Sequence, residues 1–263
     1  MTNALKEEVP SVSVEVFQPV PITSPAERPI FFWLRCLVDL QLATIVQYLR
    51  PALTGLGGQV VDVGAGEAPW RAWLPPGVSY QGIDVGHAGD FGMTTTPGDI
   101  IYYDGKIMPL PDNTFDAALC IEVLEHAEDP QLLLSEISRI LKADATLLLS
   151  VPWSARRHHI PHDYHRFTPE RLQRLLEVAG FSQIKIRERG NDIGVIANKV
   201  TVLALRLMCP KRALHAILTW PLGIVCGVLA AGFLVAAHLS VIWGFGSIDD
   251  PLGYFVHARK HRL

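Results

Sequence analysis

The chain has little with which to brace itself covalently. Its 263 residues hold four cysteines, Cys36, Cys120, Cys209 and Cys226, all far apart. That excludes a dense disulfide scaffold, offers no paired-cysteine zinc spacing and fits a reducing compartment. Excess charge of either sign is also missing: 23 Lys and Arg stand against 26 Asp and Glu, a formal net charge of −3. With no basic footprint, no nucleic-acid partner is expected. Met1 to Val20 lacks a continuous apolar run and carries Lys6, Glu7, Glu8 and Glu15, which argues against a signal peptide. The most telling absence lies near the other end, where residues 213–248 include no Asp, Glu, Lys or Arg in 36 positions.

Residues 1–29 are rich in Pro, Ser and Val and read as an extended arm without a core of its own. Phe31 to Leu49 has helical apolar spacing, with Pro51 expected to end the helix. From residue 59 onward short apolar runs alternate with helical patterns. Runs at Val60–Val63, Tyr80–Val85, Ile100–Tyr103, Phe115–Ile121, Leu147–Val151, Ser182–Arg187 and Tyr254–Ala258 read as seven strands. Pro130 to Leu141 places Leu133, Ile137, Ile140 and Leu141 on one helical face. A further helix opens at Thr168-Pro169 and closes at Gly180. Such alternation implies an α/β fold with a mainly parallel sheet covered on both faces. We divide the chain into the arm (1–29), a domain formed by 30–195 plus 247–263, and an apolar helical insertion at 196–246.

Ligands of open parallel sheets bind beyond the carboxyl ends of the strands. The first strand is followed by Asp62-Val63-Gly64-Ala65-Gly66-Glu67, a turn that lets backbone approach a ligand closely. A dinucleotide site would need a glycine at position 69, where this chain has proline, so pyrophosphate and a nicotinamide oxidoreductase are disfavoured. Asp84 follows the second strand and could accept from both hydroxyls of a ribose. Asp104 follows the third and could accept from an exocyclic amine, or could serve an ordinary Asp-Gly turn. Glu122 follows the fourth. A ligand with ribose and adenine but no pyrophosphate suits this set, and S-adenosylmethionine is one.

The segments VVDVGAGEAPW, YQGIDV, LPDNTFDAALCIEVLEH and LLLSVPW, in that order, resemble the class I S-adenosylmethionine-dependent methyltransferases, bacterial type 11 subgroup. The resemblance covers about residues 58–190 and the last strand. It implies a seven-stranded Rossmann-like sheet with an antiparallel last strand, here with the apolar insertion between the sixth and seventh strands. It also implies that Asp62, Gly64, Ala65 and Gly66 hold the methionine part of the cofactor and that Asp84 and Val85 hold the ribose. Asp104 and Gly105 then lie near the adenine, and Ile121 and Glu122 line the cofactor cavity. Two departures are Ala68, where a third glycine is common, and Ala143-Asp144-Ala145, where Pro-Gly-Gly is common.

Methyl transfer from a sulfonium needs alignment and dryness more than covalent help, but an alcohol acceptor also needs a base. The loop after the fifth strand carries His158, His159, His162 and His165 with Asp163 and Arg166. His162-Asp163-Tyr164 with Arg166-Phe167-Thr168 resembles the PHDYxRFT stretch of the subgroup. We expect His162 to act as base or acceptor contact, oriented by Asp163; the alternative is that His162, Asp163 and Arg166 hold the loop by hydrogen bonds. Glu125 and His126 either cap the loop after the fourth strand or face substrate. No metal site is expected, because the histidine spacing matches no zinc pattern. Cys120-Ile121-Glu122-Val123 stands where nitrogen methyltransferases often carry Asn or Asp, Pro-Pro and an aromatic, so oxygen or carbon is the expected acceptor atom. By resemblance the acceptor is a cell-envelope saccharide or lipid-linked intermediate; a non-catalytic module of the same fold is the alternative.

Leu222 to Phe245 is long enough to cross a bilayer, and Lys211 and Arg212 precede it as on a cytoplasmic side. Yet it stands between two strands expected to pair, so it must leave and return on one side. A re-entrant hairpin bent at Pro221, Gly223 or Gly227, two full passes, and helices packed on the domain all remain open. Ile196 to Leu218 reads as an interfacial amphipathic helix. The expected location is the cytoplasm, at the inner face of the membrane.

Overall fold

A computed structural model of the chain describes residues 19–86, 88–91, 93, 98–210 and 213–262. Residues 1–18 of the expected arm, and Lys211 and Arg212, lie outside the described residues. Seven strands form one sheet in the order β3-β2-β1-β4-β5-β7-β6. They are β1 (Gln59–Val63), β2 (Ser79–Val85), β3 (Ile100–Tyr103), β4 (Phe115–Ile121), β5 (Leu141–Pro152), β6 (Phe181–Arg189) and β7 (Gly253–Lys260). The first five pair in parallel, and β7 is antiparallel to both β5 and β6. All seven expected strands are present, and the last is the antiparallel one. Strand β5 starts earlier than expected. The Ala143-Asp144-Ala145 turn sits inside it as an irregularity, with Asp144 at φ 59° and a register shift against β4.

Strand alternation sorts the core into two layers, because successive side chains point to opposite faces. Val61, Val63, Ala118, Cys120, Leu147 and Leu149 face α3 (Pro130–Ile140) and α4 (Pro169–Val178). Val60, Ala117, Leu119 and Leu148 face the N-terminal helices. Asp129 caps α3 by accepting from the Gln131 and Leu132 amides, and Thr168 caps α4 by accepting from the Arg171 amide. Gly180, at φ 86°, supplies the left-handed turn after α4.

The single helix expected over 31–49 is two: α1 (Pro29–Val38) and α2 (Leu40–Leu53), bent by 117°. Asp39 makes the break. Its carboxylate accepts from the Leu42 amide as the cap of α2 and pairs with Arg35 of α1 at 3.1 Å. Arg35 also donates to the Pro21 and Val20 carbonyls, tying the preceding chain to α1. Pro51 does not end α2 but sits inside its last turn. While α2 is buried on the sheet, α1 leaves Ile30, Phe31, Trp33, Leu34, Leu37 and Val38 exposed.

The insertion is a helical hairpin, α5 (Asp192–Met208) and α6 (Ala213–Trp243). The expected amphipathic helix over 196–218 is broken at Met208. Of the alternatives left open, the bend at Pro221, Gly223 or Gly227 is absent, because α6 runs through all three. Gly223 lets α6 pass close to the end of α5: a Cβ there would lie 3.0 Å from Met208 Sδ. At 1.5 Å per residue α5 reaches only ~26 Å, short of the ~30 Å hydrocarbon core, and α6 ~46 Å. Both ends of the hairpin return to the domain. Asn191 donates to Ser240 Oγ at 2.9 Å and to the Phe245 carbonyl at 3.0 Å, and His238 Nε2 donates to the Leu37 carbonyl of α1 at 3.0 Å.

Candidate active site

The carboxyl ends of β1, β2, β3, β4 and β5 lie along one edge of the sheet, and β6 ends on that edge too. At the β1 end, Gly64 (φ 73°) and Gly66 (φ 54°) form the expected turn. The Gly64 and Ala65 amides both donate to the Ile83 carbonyl of β2, at 2.8 and 3.2 Å. Gly64 has to be glycine for a second reason: a Cβ would lie 2.3 Å from Val123 Cγ2. The Gly66 amide donates to Asp84 Oδ2 at 2.7 Å, and the Val85 amide to Asp84 Oδ1 at 2.7 Å. The glycine turn and the expected ribose carboxylate are thus held together directly. Met93 lies over this turn, its Sδ 3.1 Å from where a Cβ of Gly66 would stand.

Asp62 is buried and accepts from Tyr80 Oη at 2.9 Å. Burial lifts its carboxyl to about 7, against the lowering effect of that hydrogen bond and with the Asp84 charge adding to the rise. Asp104 and Gly105 are exposed beyond β3. Asp104 accepts from the Lys106 amide at 3.0 Å, as a turn residue does, and Gly105 takes φ 79° beside Val85. Ile121 is buried at the end of β4.

Residues 61–149, containing this turn and β4, match the model of the methyltransferase domain family. Over this stretch the chain is similar to the class I S-adenosylmethionine-dependent methyltransferases. S-adenosylmethionine is the cofactor of that family, and the residues here fit it: a side-chain-free glycine turn that a ligand can approach closely, and a carboxylate with acceptor capacity left at the tip of the next strand. The chain is 32% identical over 117 residues to an uncharacterized methyltransferase of Mycobacterium tuberculosis, covering 43% of this chain and 44% of that protein. The chain therefore spans less than half the length of these mycobacterial relatives. It is 27% identical over 171 residues to an O-methyltransferase of Aspergillus sclerotiorum, covering 57% of this chain and 65% of that one. A solved S-adenosylmethionine-dependent methyltransferase from Archaeoglobus fulgidus shares the fold at 18% identity, with a TM-score of 0.51 over 88% of this chain and 100% of that one.

Glu122, expected to line the cofactor cavity, is only partly exposed and has partners of its own. With φ 56°, it turns its carboxylate to accept from Ser150 Oγ and Arg189 Nη2, both at 2.8 Å. Arg189, fully buried at the end of β6, also donates to the Gln41 and Val151 carbonyls and to Thr44 Oγ1. One guanidinium thereby ties the ends of β4, β5 and β6 to α2. Sequence reading missed Arg189. An arginine closing a strand of alternating charge looks like a solvated residue, and only the β7–β6 edge brings Glu122 opposite it.

The histidine loop lies along the same edge. Asp163 does not orient His162. It accepts from the His158 amide at 3.0 Å and pairs with Arg166 at 2.6 Å. Burial alone would raise the Asp163 carboxyl, but His158 and the Arg166 guanidinium hold it well below the usual range. His162 Nδ1 instead meets Tyr164 Oη at 3.2 Å, which donates to Glu128. His165 donates to the Ala127 carbonyl. Phe91, after β2, packs against the rings of His126, His159 and His162.

Proposed function

We propose that the protein transfers a methyl group from S-adenosylmethionine to an oxygen or carbon of a lipid-linked or cell-envelope saccharide acceptor, working at the inner face of the membrane. The observation that carries this reading is the place of the apolar elements. The hairpin α5–α6 leaves β6 and enters β7 at the strand edge where the glycine turn and Asp84 lie. The α1–α2 elbow meets it there through Leu37 and His238. Leu218, Leu222, Val225, Val228 and Val235 of α6 are exposed, as is the outer face of α1. Exposed apolar area on this scale suits a surface that rests in one leaflet, its helices lying in the interface instead of crossing. An apolar groove of ≈ 660 Å³ between α1, α2 and His238 adds room for an acyl or prenyl chain.

Within the site, Asp62 and the glycine turn hold the methionine end of the cofactor, Asp84 and Val85 the ribose, Asp104 and Gly105 border the adenine, and Ile121 and Glu122 line the cofactor cavity. His162, at the outer end of the histidine loop, takes the proton from the acceptor; Asp163 acts through His158 and Arg166, keeping the loop in shape. Cofactor carrying an isotopically labelled methyl group, incubated with the enzyme and membrane extracts, tests the reading by mass spectrometry. Label in a lipid-extractable saccharide conjugate is expected. Label confined to water-soluble products, or bound cofactor with no turnover in any fraction, would refute the acceptor assignment.

A further inference from the structure

The fold brings three histidines together from two segments the sequence keeps apart. The side-chain ligand atoms of His126, His158 and His159 all lie within 4.8 Å of one another. His126 follows β4, and the other two belong to the loop after β5. His162 and His165, which the loop sequence groups with them, are engaged elsewhere, with Tyr164 and the Ala127 carbonyl. Facing the triad is Glu125, fully buried, with neither carboxylate oxygen hydrogen-bonded. Its Oε1 lies 3.6 Å from His126 Nε2 and 4.0 Å from His158 Nε2.

The tautomers are set for ligation. His126 Nδ1 is 2.7 Å from the His162 carbonyl, so the proton sits on Nδ1 and the Nε2 lone pair faces Glu125. His158 repeats the arrangement: Nδ1 is 3.1 Å from the Arg156 carbonyl and 3.5 Å from Asp163, which leaves its Nε2 lone pair toward Glu125. A carbonyl or carboxylate on the far nitrogen is how protein sites orient metal-binding imidazoles. His159 holds φ 50°, a left-handed backbone that a histidine adopts at a cost, and this turns the third imidazole against the other two. A buried carboxylate without hydrogen bonds is costly unless it carries a proton or meets a cation.

We infer that His126, His158, His159 and Glu125 form a binding site for one first-row divalent cation of the zinc class, between the segment after β4 and the loop after β5. Three imidazoles and one carboxylate are a suitable donor set for such an ion. Tetrahedral ligation at ~2.1 Å places ligand atoms ~3.4 Å apart, so small side-chain rotations close the site. The inference does not depend on the methyl-transfer reading, because its test reads binding alone.

The test uses the full chain, stripped with chelator and titrated with Zn²⁺ by calorimetry, with elemental analysis for stoichiometry and Co²⁺ absorption for the ligand field. One ion per chain is expected, with tetrahedral Co²⁺ bands. His158→Ala and His159→Ala should each weaken Zn²⁺ binding by roughly 100-fold, and Glu125→Gln by at least about 10-fold. His215→Ala, on the exposed face of α6, should change nothing. Circular dichroism and cofactor binding identify any variant that fails to fold, and Glu125→Gln, nearly isosteric, is the second variant against that outcome. Absence of stoichiometric Zn²⁺ binding, or equal affinity in wild type and all three site variants, would overturn the inference and leave Glu125 as a buried neutral acid.

Discussion

Arg189→Met removes the buried guanidinium while keeping much of its length. Wild-type Arg189 has no solvent exposure and bonds to Glu122, Val151, Gln41 and Thr44. Methionine leaves two carbonyls without that donor and leaves the Glu122 carboxylate with Ser150 alone. Breaking a buried pair by removing one partner costs about 3–5 kcal/mol, a large share of the ~5–15 kcal/mol that holds a typical domain. Glu122→Gln keeps an acceptor for both donors, so about 1–2 kcal/mol is expected from it, in the range of a weakened charged hydrogen bond. The double variant should be more stable than the sum of the two losses predicts, because the second change removes a charge already stranded by the first. Urea unfolding followed by circular dichroism measures all three. A loss under about 1 kcal/mol for Arg189→Met, or strict additivity, would refute the clamp.

Two further outcomes follow from the glycine turn and its neighbour. Gly64→Ala puts a methyl group into Val123 at a left-handed backbone position; about 2–5 kcal/mol of stability should be lost from strain and overpacking, and Val123→Ala in the same chain should restore part of it in urea melts. For Asp62, a folded-state carboxyl near 7 against an unfolded value near 3.8 means that the folded form binds the extra proton between those pH values. Stability of the ligand-free protein should therefore fall as pH rises from about 4 to about 7. That fall should be absent in Asp62→Asn once the two pH profiles are subtracted.

Strands β1 to β5 were legible because each holds a short apolar run closed by glycine, proline or an acid. The turn at Gly64 and its partner Asp84 were legible for the same reason, since strand ends are marked and parallel order puts β1 beside β2. The N-terminal break was not. Apolar spacing runs unbroken through Leu37, Val38, Leu40 and Leu42, and the break at Asp39 depends on a cap and an ion pair that act across it. The hairpin's return to one edge followed from the pairing of β6 with β7, but the place of its bend did not. Pro221 sits in the first turns of α6, where a long apolar helix carries it. Glu122 and Glu125 stand three residues apart in one motif. Only the fold separates them, one held by Arg189 and the other facing His126 and His158.

The most direct measurement is a calorimetric titration of the purified chain with S-adenosylmethionine, wild type beside Asp84→Asn. The wild type should bind one equivalent. The variant, losing the charged acceptor that meets the ribose hydroxyls at about 1.5–3 kcal/mol per hydrogen bond, should bind at least ~10-fold more weakly while melting at a similar temperature. Undetectable binding by the folded wild type, or equal affinity in both proteins, would contradict the account.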